Sequence, residues 1–395
     1  MQSVRDIAVA VLTASPWIVV PIVTMWRIRG SRDLAALPAE APADAPLVSV
    51  VIPARNERHN IEACVRSALD AAYPALEVIV VDDRSEDGTG DVARAMSRAD
   101  ARVRVIENPP LPEGWFGKPW ACSTGASAAR GKIICFTDAD TRHGPSLVAR
   151  AVREMQTGGL DMLSVAGRQE LGSFWERVIQ PHVFWMIGSR YGGTETVNRS
   201  RRVEDKIANG QCIFVRHDVY DSVGGHGAVR EHVAEDVALA QHLFASGKRT
   251  ALIMGHDELT TRMYTSLREI MDGWRKNVFA GGREAMPFGR AGQVIFPALL
   301  LLAPLMTLVP LLVLAAASIG GAPAWLALAA TIALVAQVGT WALVYRWMGA
   351  PVRYAVLFPL GAAVFAVIAL QAIARGSRVE WKGRAYVTPP RRRSR

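Results

Sequence analysis

The chain has 395 residues, 50% of them apolar, and a formal net charge of +9. Residues 31–290 carry 32 Lys+Arg against 34 Asp+Glu, so this stretch is close to neutral, which excludes a basic nucleic-acid-binding domain. Residues 291–374 contain no Asp, Glu or Lys and only Arg346 and Arg353, which excludes a wholly water-soluble protein.

The first element in the chain is an apolar segment at residues 7–26, about the length that crosses a bilayer. A cleaved signal peptide has a shorter apolar core and carries its positive charge ahead of it. Here Arg27, Arg29 and Arg32 follow the segment and only Arg5 precedes it. Residues 1–30 are therefore expected to be an uncleaved anchor, with the following domain on the cytoplasmic side.

After a linker rich in Ala and Pro at 35–46, strands are predicted at 48–53, 76–81, 103–106 and 132–137, with helices at 60–72, 91–98 and 121–129 between them. Strands alternating with helices from 48 to 137 predict parallel βαβ units, within an α/β domain expected over residues 47–285. Residues 173–191 and 266–288 mix aromatic and basic side chains on amphipathic patterns, which fits helices at a membrane interface or ordinary core-facing ones. Pro181 is expected to break the first of them.

Three further membrane segments are expected at 293–318, 322–345 and 352–374, followed by a basic cytosolic tail at 376–395. Three full crossings would put that tail outside, against the excess of positive charge on cytoplasmic faces. Pro297, Pro304 and Pro310 therefore predict that segment 293–318 bends and does not cross. Basic residues from Arg375 to Arg395 suit anionic lipid headgroups better than a nucleic-acid groove. The four cysteines have no CxxC spacing, which points to buried free thiols rather than a zinc site.

Three acidic clusters carry the chemistry. Asp82 and Asp83 end an apolar strand ahead of a Gly88-Thr89 turn, where ligands of open α/β sheets bind, and a carboxylate there can accept the imino hydrogen of a uracil ring. Asp138-Ala139-Asp140 ends another strand. Carboxylates spaced in this way can hold a hard divalent cation, Mg or Mn, that completes its shell with substrate phosphate, although a lone Asp-x-Asp is most often a solvated turn. Glu235-Asp236 opens a helical pattern, so these carboxylates either favour a helix N-terminus or supply a general base. Lys118, beside Gly117 and flanked by aromatic residues, can reach a phosphate as a point charge.

The order of these motifs resembles the family-2 glycosyltransferases of GT-A fold, over residues 47 to about 285. The residues that carry the likeness are Val48 to Glu57, the Asp82 to Thr89 turn, Lys118, the small-residue run through Gly125 and Gly131 into Thr137-Asp138-Ala139-Asp140, and Glu235-Asp236. The resemblance implies that Pro53, Arg55, Glu57 and Asp83 line a nucleoside pocket, with Lys118 on the donor phosphates. It further implies that Asp138 and Asp140 serve ribose and metal, and that Asp236 is the base for an inverting transfer from a nucleotide sugar.

The segment from Leu111 to Ala121 and the sequence Trp381-Lys382-Gly383-Arg384 followed by Tyr386 are similar to membrane-bound members of hopanoid and carotenoid pathways, which implies a lipid acceptor. Where polysaccharide synthases carry Arg before a Trp, this chain has Gly273 before Trp274. Glu235, Trp274 and Arg275 are the expected acceptor-side residues. The altered motif weakens a processive polysaccharide synthase, the main alternative, and a non-catalytic nucleotide-binding scaffold is the other.

Overall fold

The computed structural model describes residues 3–284, 286–376, 378–381 and 384–387, and the chain forms two compact units. Of the described residues, those in 31–170 and 197–263 and those from 378 onward form an α/β unit, and those up to 30, in 171–196 and in 264–376 form a helical one. The chain opens with α1 (Val4–Ala14) and α2 (Pro16–Ile28), separated at Ser15 ahead of a proline at the first helical position, which proline suits. Next come β1 (Val48–Ala54), α3 (Ile61–Leu69), β2 (Leu76–Asp82), α4 (Thr89–Ala99), β3 (Val103–Glu107), α5 (Gly117–Ala128) and β4 (Ile133–Thr137). These fall close to their expected places. However, α5 starts early enough to hold Lys118 in its first turn rather than in a loop.

The middle of the chain forms β5 (Thr141–His143), α6 (Leu147–Gly158), β6 (Met162–Ala166), β7 (Arg168–Gln169), α7 (Phe174–Tyr191), α8 (Thr194–Arg199) and β8 (Cys212–Arg216). Then follow α9 (His217–Ser222), α10 (Glu235–Ala245), β9 (Thr250–Met254), β10 (Leu259–Thr261) and α11 (Leu267–Glu284). The last elements are α12 (Gly289–Ser318), α13 (Ala324–Trp347), α14 (Phe358–Arg375) and an antiparallel pair of β11 (Arg378–Trp381) with β12 (Arg384–Val387).

The main sheet has seven strands in the order β3-β2-β1-β4-β8-β6-β9. Val48, Val50 and Ile52 of β1 pack with Ile61, Cys64 and Val65 of α3 on one face. On the other face Val51 joins Ile79, Val81, Ala121, Cys122 and Leu239. Burial on both faces explains why these strands read as continuous apolar runs rather than alternating ones. The strands read from the sequence pair in parallel, β1 with β2 and β4, whereas β8, which lies beyond them in the chain, runs antiparallel to both β4 and β6. Strand direction depends on the connection, and the chain between β6 and β8 leaves for the helical unit, which an alternation of patterns does not reveal.

Among the described residues of the helical unit, four segments are long and apolar enough to cross a bilayer: Val4–Ile28, Gly289–Ser318, Ala324–Trp347 and Val352–Arg375. Val4, Leu12, Val294, Leu312 and Val335 leave most of their surface open, as lipid-facing side chains do. Two proline-bearing segments fold as continuous helices. The first is α12, one helix of 30 residues with Pro297, Pro304 and Pro310 inside it.

The second is α7, which runs unbroken through Pro181, where the sequence predicts a break, from a capping box in which Ser173 and Glu176 serve each other's backbone. Pro181 has no N–H for the carbonyl of Arg177 one turn back, and the Tyr345 hydroxyl donates to that oxygen at 2.6 Å instead. Lys382 and the arginines from 391 onward lie outside the described residues.

Candidate functional site

Parallel β2, β1 and β4 are neighbours, so Asp82, Ala54 and Thr137 end at one edge of the sheet. Pro53 is in register with Val81, and Ala54 with Asp82. Asp83 is buried directly after β2, where its carboxylate accepts the Asn108 side-chain N–H at 2.9 Å. The Asn108 amide oxygen in turn accepts the Thr124 hydroxyl at 2.7 Å. One Arg55 amino group donates to the carbonyls of Asp83 at 2.7 Å and Arg84 at 3.1 Å, tying the β1 loop to the β2 loop. Glu57 lies in the same loop, its N–H on the Thr89 hydroxyl at 2.8 Å and its carboxylate accepting Asn60 at 3.0 Å. Asp138 follows β4, two strands from β2, so the two aspartates are separated by about 10 Å of sheet edge.

At the β4 end four of the expected residues come together. The Lys118 ammonium, on the first turn of α5, contacts Asp138 at 2.7 Å and Glu235 at 2.8 Å. Small residues Ala121, Gly125 and Ala126 let α5 lie close on the sheet, which brings that turn over the edge. Burial alone would lower the Lys118 ammonium, but Asp138, Glu235 and Asp236 outweigh it and hold the group well above its ordinary range. Burial also raises Asp138 against the pull of Lys118.

Asp236 begins α10 beside Glu235, and both of its oxygens accept backbone N–H groups, from Gly210 at 2.8 Å and from Val237 at 2.8 Å. Burial and the neighbouring Glu235 push Asp236 up to about 6 in spite of Lys118 and these bonds. The helix-terminus and acid–base readings of Asp236 are thus both compatible with its position.

The Asp138 backbone is fixed by Thr141, whose hydroxyl donates to the Asp138 carbonyl at 2.8 Å. Asp140 is half-buried in the turn that follows. Thr137 donates to the Gln211 carbonyl at 2.7 Å and lies 2.9 Å from His143, a ring that burial lowers to about 4 and so keeps neutral.

Trp274 and Arg275 belong to the helical unit. Trp274 is buried between Phe184 and Tyr264, each edge-on with ring centroids 5.9 Å away. Arg275 donates to Asp272 at 2.7 Å and to Gln371 at 3.4 Å. A Cβ on Gly273 would stand 2.1 Å from the Tyr264 ring, which accounts for glycine where Arg was expected.

Sequence reasoning missed Gly210 and Asn108. A Cβ on Gly210 would lie 2.9 Å from the Asp236 carboxylate and 3.1 Å from the Lys118 nitrogen, so only glycine lets the backbone N–H reach Asp236. The Asn209-Gly210 pair before an apolar strand was a legible turn signal.

Residues 49–224, which hold the β1 and β2 loops, Lys118, Asp138 and Gly210, match the sequence profile of glycosyl transferase family 2. The chain carries a family 2 glycosyltransferase domain. The 4,4'-diaponeurosporenoate glycosyltransferase of Staphylococcus haemolyticus (strain JCSC1435) is 25% identical to it over 246 residues, covering 61% of this chain and 63% of that protein. Its namesake from Staphylococcus aureus (strain USA300) is 27% identical over 244 residues, with the same coverage of 61% and 63%. The chain thus spans somewhat under two thirds of the length of these relatives. The solved mannosyltransferase PcManGT from Pyrobaculum calidifontis, in complex with GDP-Man and Mn2+, superposes with a TM-score of 0.54 at 20% identity, covering 92% of this chain and 98% of that one. That likeness establishes the GT-A fold of the glycosyltransferase domain.

Proposed function

We propose that the protein is an inverting, metal-dependent glycosyltransferase of the cytoplasmic membrane. It moves a sugar from a nucleotide sugar, a UDP-sugar in the first place, to a lipid acceptor of the hopanoid, carotenoid or other isoprenoid or glycolipid class. The observation that carries this reading is the meeting of Lys118, Asp138 and Glu235 beside Asp236 at the edge where parallel strands end, two strands from Asp83. Asp83, with Pro53, Arg55 and Glu57, takes the nucleoside; Lys118 and Asp138 take the diphosphate end; Glu235 borders the acceptor. The four apolar segments support a membrane location and a lipid acceptor.

Asp138 and Asp140 fit a divalent cation in the chemistry of their donors. Mg and Mn are hard ions that commonly take one or two carboxylates from the protein and complete their shell with phosphate oxygens and water. When bound, the ion offsets charge growing on the leaving diphosphate. The protein's own part is proton removal. Asp236 accepts the proton of the acceptor hydroxyl while that oxygen bonds to the anomeric carbon, and the bond to the diphosphate breaks with its electron pair on the phosphate oxygen. A carboxylate acceptor, which the names of the staphylococcal relatives indicate for theirs, needs no such base.

The deciding experiment incubates the full chain with labelled UDP- and GDP-sugars and native membrane lipid extract, and identifies the labelled product by mass spectrometry. A lipid carrying a single sugar is the expected product. Long polysaccharide chains would replace this reading with a processive synthase, and no transfer from any donor would end it.

A further inference from the structure

Resting on the reading above, we propose that the Lys118 ammonium is a tethered counter-ion that holds the acidic cluster closed before substrate arrives and must release Asp138 for a divalent cation to bind, so that metal and nucleotide enter together. The ammonium lies 2.7 Å from Asp138 and 2.8 Å from Glu235, so one positive charge already occupies the space between the two carboxylates. Asp236 adds to the field at the same point. A magnesium-sized cation coordinating the Asp138 carboxylate at about 2.0–2.1 Å would meet that ammonium at repulsive range, and in this partly buried setting the repulsion is weakly screened.

Gly210 closes the other side: its backbone stands so near the Lys118 nitrogen that a Cβ would be 3.1 Å away, so the ammonium does not retreat toward β8. Its open direction is solvent, since 25% of the side chain remains accessible. A nucleoside diphosphate arriving from that side offers the ammonium new oxygen partners and at the same time supplies the cation with its missing ligands. Each ligand therefore strengthens binding of the other, and linkage requires the two effects to be equal.

The test is calorimetric titration of Mn2+ into the full-length protein, with and without UDP or GDP, for the wild type, Lys118→Met and Lys118→Arg. For the wild type, nucleotide is expected to tighten Mn2+ binding about tenfold or more. Lys118→Met is expected to bind Mn2+ alone about tenfold more tightly than the wild type and to lose most of the cooperativity, while Lys118→Arg, which keeps the charge, stays close to the wild type. The proposal fails if Lys118→Met, with an unchanged melting temperature, binds Mn2+ alone no better than the wild type. Should that variant not fold, independent binding of Mn2+ and nucleotide by the wild type overturns the proposal on its own. If no variant binds Mn2+ even with UDP or GDP, the metal-dependent reading itself falls, which is a different result from either.

Discussion

In the α/β unit the buried carboxylate of Glu77 accepts the Ser49 hydroxyl at 2.7 Å and the backbone and guanidinium N–H groups of Arg130 at 2.7 to 2.9 Å. In the helical unit the carboxamides of Gln180 and Gln337 are as deeply buried and have no hydrogen-bond partner among the described residues, and Nε2 of His182 is likewise unbonded while that ring lies tilted against Trp341 with centroids 4.0 Å apart. An unpaired neutral amide costs about 1–3 kcal/mol, whereas an unpaired buried carboxylate costs far more. The buried charge of Glu77 is kept indoors by the partners that answer it, whereas the uncharged amides of Gln180 and Gln337 can be left unpaired at a smaller cost.

The contrast can be broken most severely at the site itself. Asp236→Asn is expected to lower transfer to a hydroxyl-bearing lipid by about 10²–10⁴-fold without a change in melting temperature. In the wild type, kcat/KM should rise with pH through about 6, because Asp236 must lose its proton to act as a base and its folded-state value is raised to that point. Full activity in the Asn variant would remove Asp236 from the chemistry.

Next in size is Glu77→Leu, which leaves the buried Ser49 hydroxyl without its acceptor and Arg130 without its carboxylate, and is expected to cost about 2–4 kcal/mol. Glu77 is buried, which raises it, but Arg130 and Ser49 prevail and hold its carboxyl below the ordinary range. Its contribution is therefore complete above the unfolded Glu value of 4.5 and is lost as pH falls through the lower folded value, a loss that Glu77→Leu should abolish in acid-unfolding curves.

A smaller effect is expected in the helical unit from Tyr345→Phe, which leaves the Arg177 carbonyl opposite Pro181 unserved. About 1–2 kcal/mol should be lost in thermal unfolding in detergent. Smallest, and opposite in sign, is Gln337→Leu. Exchanging an unpartnered amide for an apolar group of similar size is expected to leave stability unchanged or raise it by about 1 kcal/mol. A clear loss there would mean that Gln337 has a bonding role, and the contrast between the units would have to be redrawn.

The sequence alone located β1 to β4 and their helices, because two-sided burial writes itself as unbroken apolar runs ended by Asp82 and Asp138. It also marked Lys118, Asp138, Glu235 and Asp236 by residue type and spacing. The reversed direction of β8, the continuity of α7 and α12 through their prolines, and the place of Gly210 against Asp236 were decided by tertiary structure. Each depends on a group distant in the chain: a connection that leaves the sheet, a Tyr345 hydroxyl that replaces a missing N–H, a backbone that fits only without a Cβ. Residue identity and periodicity record what a side chain prefers locally, and they carry no account of which partner, far along the chain, will satisfy it.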